Sequence, residues 1–193
     1  MKSRCRTIGL LSLIILSNSC ISTSHSGEYP VPDEVKPVIP QSEEIVYTSP
    51  GGYEIHLTQY TFLRFYKEEV WESDPYSQIL GDFEHITKVY QSDSMRIGYE
   101  LYASTAVWDN EIRLKLEVLH KANDLTISLN EPVINYQQEL FPYWEYTDSI
   151  VLNGQFYYNV YSTETGINHL YYQMNNVLIS FTLAGRQWYL RQN

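Results

Sequence analysis

The residues best suited to chemistry in this chain are aromatic, because its 18 Tyr and 4 Trp include several pairs of sequence neighbours. A flat apolar ring with a polar edge can stack on a sugar or anchor a protein contact at modest entropic cost. Neighbours on a strand point to opposite faces, so one ring of each pair should enter the core and the other should lie outside. Ordinary β propensity and cross-strand aromatic pairing would also produce such pairs. The candidate binding residues are Tyr143 and Trp144, Tyr157 and Tyr158, Tyr171 and Tyr172, and Trp188 and Tyr189.

No local motif for catalysis or metal binding occurs in the sequence. Four of the five His are far apart in the later part of the chain: His56, His85, His120 and His169. None of them forms a close pair of the kind that binds zinc, and the Gly-x-Ser-x-Gly, phosphate-loop and EF-hand motifs are missing. A carboxylate pair could hydrolyse a glycosidic bond, but a solvated loop better explains the mid-chain acids Glu68, Glu69, Glu72 and Asp74. We therefore expect a protein that is not an enzyme and that holds no metal or cofactor.

The N-terminus has the three parts of a secretion signal. Basic Lys2, Arg4 and Arg6 come first, the apolar run 8–16 follows, and small polar residues occupy 17–19. This apolar run of about nine residues is roughly half of the ~20 that a membrane-spanning helix needs, and no later run is longer. The pattern predicts export without a permanent transmembrane helix.

Residues 16–20 resemble the bacterial lipoprotein signal, in which a Leu and small residues precede the Cys that is cleaved and lipidated. Here Leu16-Ser17-Asn18-Ser19 precede Cys20, so the Leu lies one residue further from the Cys than in that family. The resemblance implies acylation of Cys20, including a palmitate. Ser17 and Ser19 would also suit an ordinary signal peptidase, which would leave a soluble protein beginning at Cys20.

The cysteine content agrees with a lipid anchor. The only two Cys are Cys5, which would be discarded with the signal, and Cys20. The remaining chain therefore has no disulfide, and it is long enough to bury a core without one. A single Cys at the mature N-terminus is easier to explain as an acylation site than as a redox centre.

The charge of the chain excludes nucleic acid as a partner. The net charge is −10, and removal of the signal leaves 10 basic and 23 acidic residues, or −13. Phosphate backbones require clustered Lys and Arg, and anionic headgroups would be repelled, so membrane attachment should come from covalent lipid. Ile21 stands where some inner-membrane lipoproteins have Asp, which by resemblance favours a cell-envelope location at the outer rather than the inner membrane.

The sequence divides into three parts: a signal peptide at 1–19, a lipidated Cys with a Pro-rich tether at 20–44, and a single β domain at 45–193. The tether contains Pro30, Pro32, Pro37 and Pro40. At about 3.1 Å per residue, a fully extended tether could hold the domain up to roughly 70 Å from a membrane. A disordered tail without a spacing role would have the same composition.

Alternation of apolar and polar residues predicts strands in the domain, with the clearest ones at 96–103, 112–119 and 125–129. Asn153-Gly154 predicts a tight hairpin between Tyr146–Leu152 and Gln155–Ser162. Further strands are expected at 53–66, 84–91, 169–174, 177–183 and 186–191. Residues 68–82, which contain a Pro and a Gly, look like a long connection or a short helix.

These segments predict a mainly β fold of nine or ten strands, an antiparallel meander that forms one sandwich, open barrel or bent sheet. The C-terminal meander resembles domains of uncharacterised Tyr-rich bacterial lipoproteins, through Asn153-Gly154, Tyr157-Tyr158-Asn159-Val160-Tyr161, Leu170-Tyr171-Tyr172, Leu178-Ile179-Ser180-Phe181 and Trp188-Tyr189-Leu190. That resemblance implies no activity. We expect non-enzymatic binding of an envelope protein or a glycan, with an envelope hydrolase of glycan or peptide and a ligand-free spacer as alternatives.

Overall fold

Twelve strands and one short 3-10 helix make up the computed structural model, which describes residues 22–74, 77–103, 111–122, 124–134, 141–165, 168–173 and 177–191. Within these ranges no α-helix occurs, and the prediction of a mainly β fold is confirmed. The elements are β1 (Ser22–Tyr29), the 3-10 helix (Lys36–Val38), β2 (Glu44–Thr48), β3 (Glu54–Asp74), β4 (Ser77–Gln91), β5 (Met95–Ala103), β6 (Ile112–His120), β7 (Leu125–Ile134), β8 (Glu145–Leu152), β9 (Gln155–Thr165), β10 (Asn168–Gln173), β11 (Val177–Leu183) and β12 (Arg186–Leu190).

All twelve strands belong to one curled sheet that forms an open half-barrel. Strands β2 to β7 form one antiparallel meander and β8 to β12 a second, and the two are joined where β12 pairs with β2. Only β1 is parallel to its neighbour, and it shares one edge of β4 with β5. The predicted bent or open-barrel meander is therefore confirmed, with more strands than the nine or ten expected because β1 and β2 add pairing before the first predicted strand.

The C-terminal hairpin forms as the sequence predicts. Strands β8 and β9 are joined by Asn153 and Gly154, whose φ angles of 50° and 78° are the two positive values that a type I′ turn requires. Ala184 and Gly185 join β11 and β12 with the same pair of positive φ angles, 55° and 69°. Both turns match the right-handed twist of their strands, so this part of the meander is encoded locally.

The region 68–82 differs from the expectation of a long connection or short helix, which is wrong. Strand β3 continues to Asp74 and β4 begins at Ser77, so the two form one long hairpin arm. Register pairs such as Glu68 with Asp82 and Glu69 with Gly81 extend the ladder along this arm. Tertiary pairing with β3 and with β1 stabilises an extended backbone that composition alone does not predict.

The core lies on the concave face of the sheet. The predicted alternation holds in β5, where Ile97, Tyr99 and Leu101 are buried, and in β6, where Leu114 and Leu116 are buried. Their registers place these rows side by side, so that Tyr99 pairs with Leu116 and Leu101 with Leu114. One face of the sheet is thereby committed to packing, while the intervening residues face outward.

A segment of the predicted tether fills this concave face. We call residues 31–40 the plug segment, and its apolar side chains are at most 2% exposed: Val31, Val35, Val38 and Ile39. The expected extension of about 3.1 Å per residue therefore does not apply to these residues, and β1 before them is also paired to the sheet. Apolar residues between the prolines give the segment enough burial to dock rather than extend.

Side chains of the sheet bind the backbone of the plug segment. Lys88 Nζ donates to the carbonyl of Pro40 at 2.6 Å, and the Tyr172 hydroxyl donates to the carbonyl of Val38. The amide of Val31 donates to Glu84 at 2.7 Å. Because a Pro-rich segment cannot form a strand ladder, these contacts supply partners that buried backbone groups otherwise lack.

A second, smaller core lies on the opposite face of the C-terminal meander. The tip of the β8–β9 hairpin folds over β11, so that Leu152, Tyr157 and Val160 pack with Ile179. The Tyr157 hydroxyl donates to the carbonyl of Leu190 on β12 at 3.2 Å. This packing ties the tip of the hairpin to β11 and β12.

Candidate functional site

The structure separates the four aromatic doublets into buried and outward members. Four of the eight candidate binding residues lie in the two cores and cannot contact a ligand: Trp144, Tyr157, Tyr172 and Trp188. Tyr143 and Tyr158 are 71% and 61% exposed. Tyr171 and Tyr189 are half-buried. One ring of each doublet therefore remains a binding candidate, namely Tyr143, Tyr158, Tyr171 and Tyr189.

A tight turn before β8 presents Tyr143. Phe141 and Trp144 at its two ends are buried, with ring centroids 5.1 Å apart, and Trp144 packs edge-on to Tyr172 at 5.8 Å. The Trp144 amide donates to the Phe141 carbonyl at 3.0 Å, which closes the turn. The two anchors hold the backbone so that the Tyr143 side chain projects into solvent.

Tyr143 overhangs a cleft of about 460 Å³ on the outer face of β8, β9 and β10. The cleft is on the outer face because its residue Tyr171 lies between Leu170 and Tyr172, which both point into the main core. We call it the Tyr143 cleft, and its lining side chains are those of Tyr143, Glu145, Ser162, Thr163, Glu164, His169 and Tyr171.

Strand register brings the polar groups of the Tyr143 cleft together. Ser162 on β9 lies opposite both Glu145 on β8 and Tyr171 on β10. Two residues further along β9, Glu164 lies opposite His169, and its Oε1 is 3.0 Å from His169 Nδ1. Both members of this pair are more than half exposed, so they remain accessible to a ligand.

The Tyr143 cleft is acidic and aromatic at the same time. Its two carboxylates face a single imidazole, in a chain whose overall charge is already −10. Phosphate, sulfate and other anions are therefore disfavoured there. Hydroxyl and amine donors suit the carboxylates, and an apolar ring face suits the two tyrosines.

A second His and acid cluster on the outer face is closed to ligands. The ring of His85 is stacked between Phe65 and Tyr102, each with a centroid distance of 5.2 Å. Its Nδ1 lies 3.0 Å from Glu100 Oε1, and this hydrogen bond is the main cause that lowers the pKa of the Glu100 carboxyl. His85 is 5% exposed, so the cluster holds strands together rather than presenting a group to solvent.

Sequence reasoning missed most of the polar side of the Tyr143 cleft. No sequence pattern singles out Glu145, Ser162 or Glu164, and His169 has no close His or Cys partner in the sequence. The signal that could have found one pair is the short connection between β9 and β10, because a tight hairpin places residues 164 and 169 opposite one another. Glu145 and Ser162 follow in the same way from the Asn153-Gly154 turn, because a register without bulges that starts at Leu152 and Gln155 pairs Glu145 with Ser162.

Other sequence predictions fall in different places. Cys5 and Cys20 lie outside the described residues. The expectation that the mid-chain acids form a solvated loop is wrong, because Glu68, Glu69, Glu72 and Asp74 all lie on strand β3. Glu69 Oε1 is 2.9 Å from Lys67 Nζ. In the part of the chain that the structure describes, no group of three or more His, Cys, Asp or Glu is placed to hold a metal ion. The same part contains no helix with the length and apolarity to cross a membrane.

The fold and the Tyr143 cleft define a curled antiparallel β domain with a lateral aromatic cleft. No family model matches this chain, and comparisons with curated proteins and with solved structures find no similar protein. Function must therefore be argued from the geometry of this molecule.

Proposed function

We propose that this protein is a cell-envelope lipoprotein, anchored through Cys20, whose β domain binds a glycan in the Tyr143 cleft. The observation that carries the proposal is the cleft itself, in which Tyr143 and Tyr171 flank a row of polar side chains. Its volume of about 460 Å³ falls within the range of small-molecule sites. No catalytic step is needed for this function.

The chemistry of the cleft favours a sugar over other ligands. Sugar rings have apolar faces that stack on aromatic rings and hydroxyl groups that donate to carboxylates. The two glutamates disfavour anionic glycans, so the ligand class is a neutral or amino-substituted oligosaccharide. The extended row from Glu145 to His169 crosses three strands and could contact more than one sugar unit.

Binding can be tested on an array of neutral and amino-sugar oligosaccharides, followed by calorimetric titration of the strongest binder. We expect Tyr143→Ala and Tyr171→Ala each to raise the dissociation constant by about ten-fold or more. Tyr158→Ala is the matched control, since Tyr158 is 61% exposed against 71% for Tyr143 but lies outside the cleft. Unchanged affinity in both cleft variants would refute the site, and specific capture of an envelope protein instead would replace the glycan as partner.

The lipid anchor is tested separately. Mass spectrometry of the mature N-terminus should show acyl groups on Cys20, and a Cys20→Ala variant should move from the membrane to the soluble fraction. Membrane retention of that variant would contradict the anchor. Separation of inner and outer membranes then tests the outer-membrane location.

One observation favours a glycan or peptide hydrolase as the second candidate. Glu164 and His169 form a His-acid pair within the Tyr143 cleft, and both are accessible to solvent. Such a pair can act in general acid-base catalysis. Release of reducing ends from the oligosaccharide that binds most tightly, abolished by Glu164→Gln while binding persists, would establish hydrolysis in place of binding alone.

A further inference from the structure

The long arm of β3 and β4 leaves one strand edge open. Strand β2 pairs with β3 only through Glu54–Thr58, while β4 occupies the other edge of β3 from Thr58 to Asp74. No strand in the described ranges pairs with the first edge from Thr61 to Asp74, a length of about 46 Å at 3.3 Å per residue. An edge this long is a template for pairing with another strand.

The side chains along this open edge are unusually apolar for an exposed strand. Five large apolar side chains within seven residues are between 41% and 71% exposed: Tyr60, Phe62, Leu63, Phe65 and Tyr66. Phe62 and Tyr66 lie on one face of the arm, and Leu63 and Phe65 on the other, so both faces carry exposed rings. Proteins usually protect such edges with charges, bulges or Pro, but the two register shifts on β3, at Gln59/Thr61 and at Glu72/Asp74, leave the stretch from Thr61 to Glu72 in unbroken pairing with β4.

We propose that the open edge of β3 pairs with the same edge of a second copy of this chain, as an antiparallel two-fold dimer centred on Tyr66. A two-fold axis perpendicular to a sheet leaves each side chain on the same face of the sheet. Paired residues of antiparallel strands also point to the same face, so the axis must pass between one residue and its own copy. Only a limited set of registers satisfies this condition.

The charges along the edge select one of these registers. Centring on Tyr66 places Arg64 opposite Glu68 of the second copy, twice by symmetry, and no like charges face one another. Centring on Arg64, Lys67, Glu68 or Glu69 would instead place like charges at the axis. Centring on Phe62, Leu63 or Phe65 pairs no opposite charges within Thr61–Glu69. The edge is thus self-complementary in one register.

The monomer leaves the required groups accessible. Arg64 is half-exposed and uses Nε to contact buried Glu84, which leaves its terminal nitrogens for a carboxylate across the axis. Glu68 is exposed. In the same register Phe65 faces Lys67 of the second copy, whose aliphatic stem can cover the ring. The second copy therefore covers apolar surface and satisfies the open backbone at the same time.

The test uses the full chain extracted from membranes in detergent. Analytical ultracentrifugation should show a dimer. Leu63→Glu and Glu68→Arg should each raise the dimer dissociation constant by about ten-fold or more. In the Tyr66 register the first places a carboxylate opposite Glu69 of the second copy, and the second places a guanidinium opposite Arg64. Val151→Glu is the matched control, since Val151 is 51% exposed against 53% for Leu63 but lies on β8. Wild-type protein that is monomeric, or a dimer that survives Leu63→Glu and Glu68→Arg, would overturn the proposal.

Disulfide cross-linking in membranes reports the register without depending on how the charge variants fold. Tyr66→Cys at the axis places two Cα atoms within the range that a disulfide spans, so it should cross-link several times faster than Phe65→Cys, Tyr158→Cys or the parent chain with its native cysteines. Equal cross-linking of Tyr158→Cys, or capture of a different protein by Tyr66→Cys, would contradict a self-dimer. The dimer is independent of the glycan cleft, so Tyr143→Ala should leave it intact.

Discussion

The concave face of the sheet and the Tyr143 cleft are two grooves of one β sheet, and they differ in what fills them. The concave face is occupied by the plug segment, whose backbone accepts hydrogen bonds from Lys88, Tyr90 and Tyr172. In the Tyr143 cleft, Glu164 and His169 pair with each other at 3.0 Å and remain open to solvent. The first groove binds a segment of its own chain, and the second is left for a ligand.

This difference shows why aromatic content alone does not locate a binding site. Trp144 and Tyr143 are sequence neighbours of similar chemistry, yet one anchors the filled core and the other overhangs the cleft. Burial of the Trp144 ring stabilises the fold. The exposed Tyr143 ring remains available for a contact with a partner.

The largest expected effect on stability distinguishes Trp144 from its neighbour Tyr143. Trp144→Ala should reduce the free energy of unfolding by roughly 3–5 kcal/mol, because it removes a buried ring and leaves a cavity. Tyr143→Ala should change it by no more than about 0.5 kcal/mol, as expected for an exposed side chain. Urea unfolding followed by circular dichroism measures both, and similar losses in the two variants would break the distinction.

A smaller effect tests whether the plug segment is held by specific hydrogen bonds. Tyr172→Phe keeps the ring but removes the hydroxyl that donates to the carbonyl of Val38. Loss of a buried partner should cost about 1–3 kcal/mol in the free energy of unfolding. Tyr158→Phe, on an exposed ring, is the control and should be close to neutral. Equal stability of the two variants would mean that the hydroxyl of Tyr172 contributes nothing.

The smallest effect is a decrease in the free energy of unfolding at alkaline pH, caused by a tyrosine on the concave face. Burial raises the pKa of Tyr90 to about 12 from its ordinary value of 10.0. Between these values the folded chain holds a proton that the unfolded chain loses, so stability should fall as pH rises through this window. Chemical unfolding at pH 9, 10 and 11 measures the slope, which Tyr90→Phe should reduce. A flat profile in the wild type would show that Tyr90 ionises alike in both states.

Local patterns of the sequence predicted much of the sheet. The alternation in β5 and β6 and the Asn153-Gly154 turn are properties of neighbouring residues, so they could be read directly. The long β3–β4 arm could not, because the extended form of 68–82 depends on pairing between strands. The plug segment was predicted as a tether for a similar reason, since its prolines indicate an extended chain whether or not a groove receives it.

The candidate site was predicted only in part. The sequence indicated that each aromatic doublet would have an inner and an outer ring, because adjacent residues of a strand face opposite ways. It did not indicate that Tyr143 and Tyr171 would flank the same cleft, or that Glu145, Ser162, Glu164 and His169 would line it.

The sequence by itself determined the acidic charge, the β character and the C-terminal hairpin. These are properties of composition or of residues close together in the chain. Only the tertiary structure decided which rings are buried, that residues 31–40 fill the concave face, and that one edge of β3 is open. The physical reason is that burial and strand pairing join residues far apart in sequence, and the geometry of the curled sheet decides which of them meet.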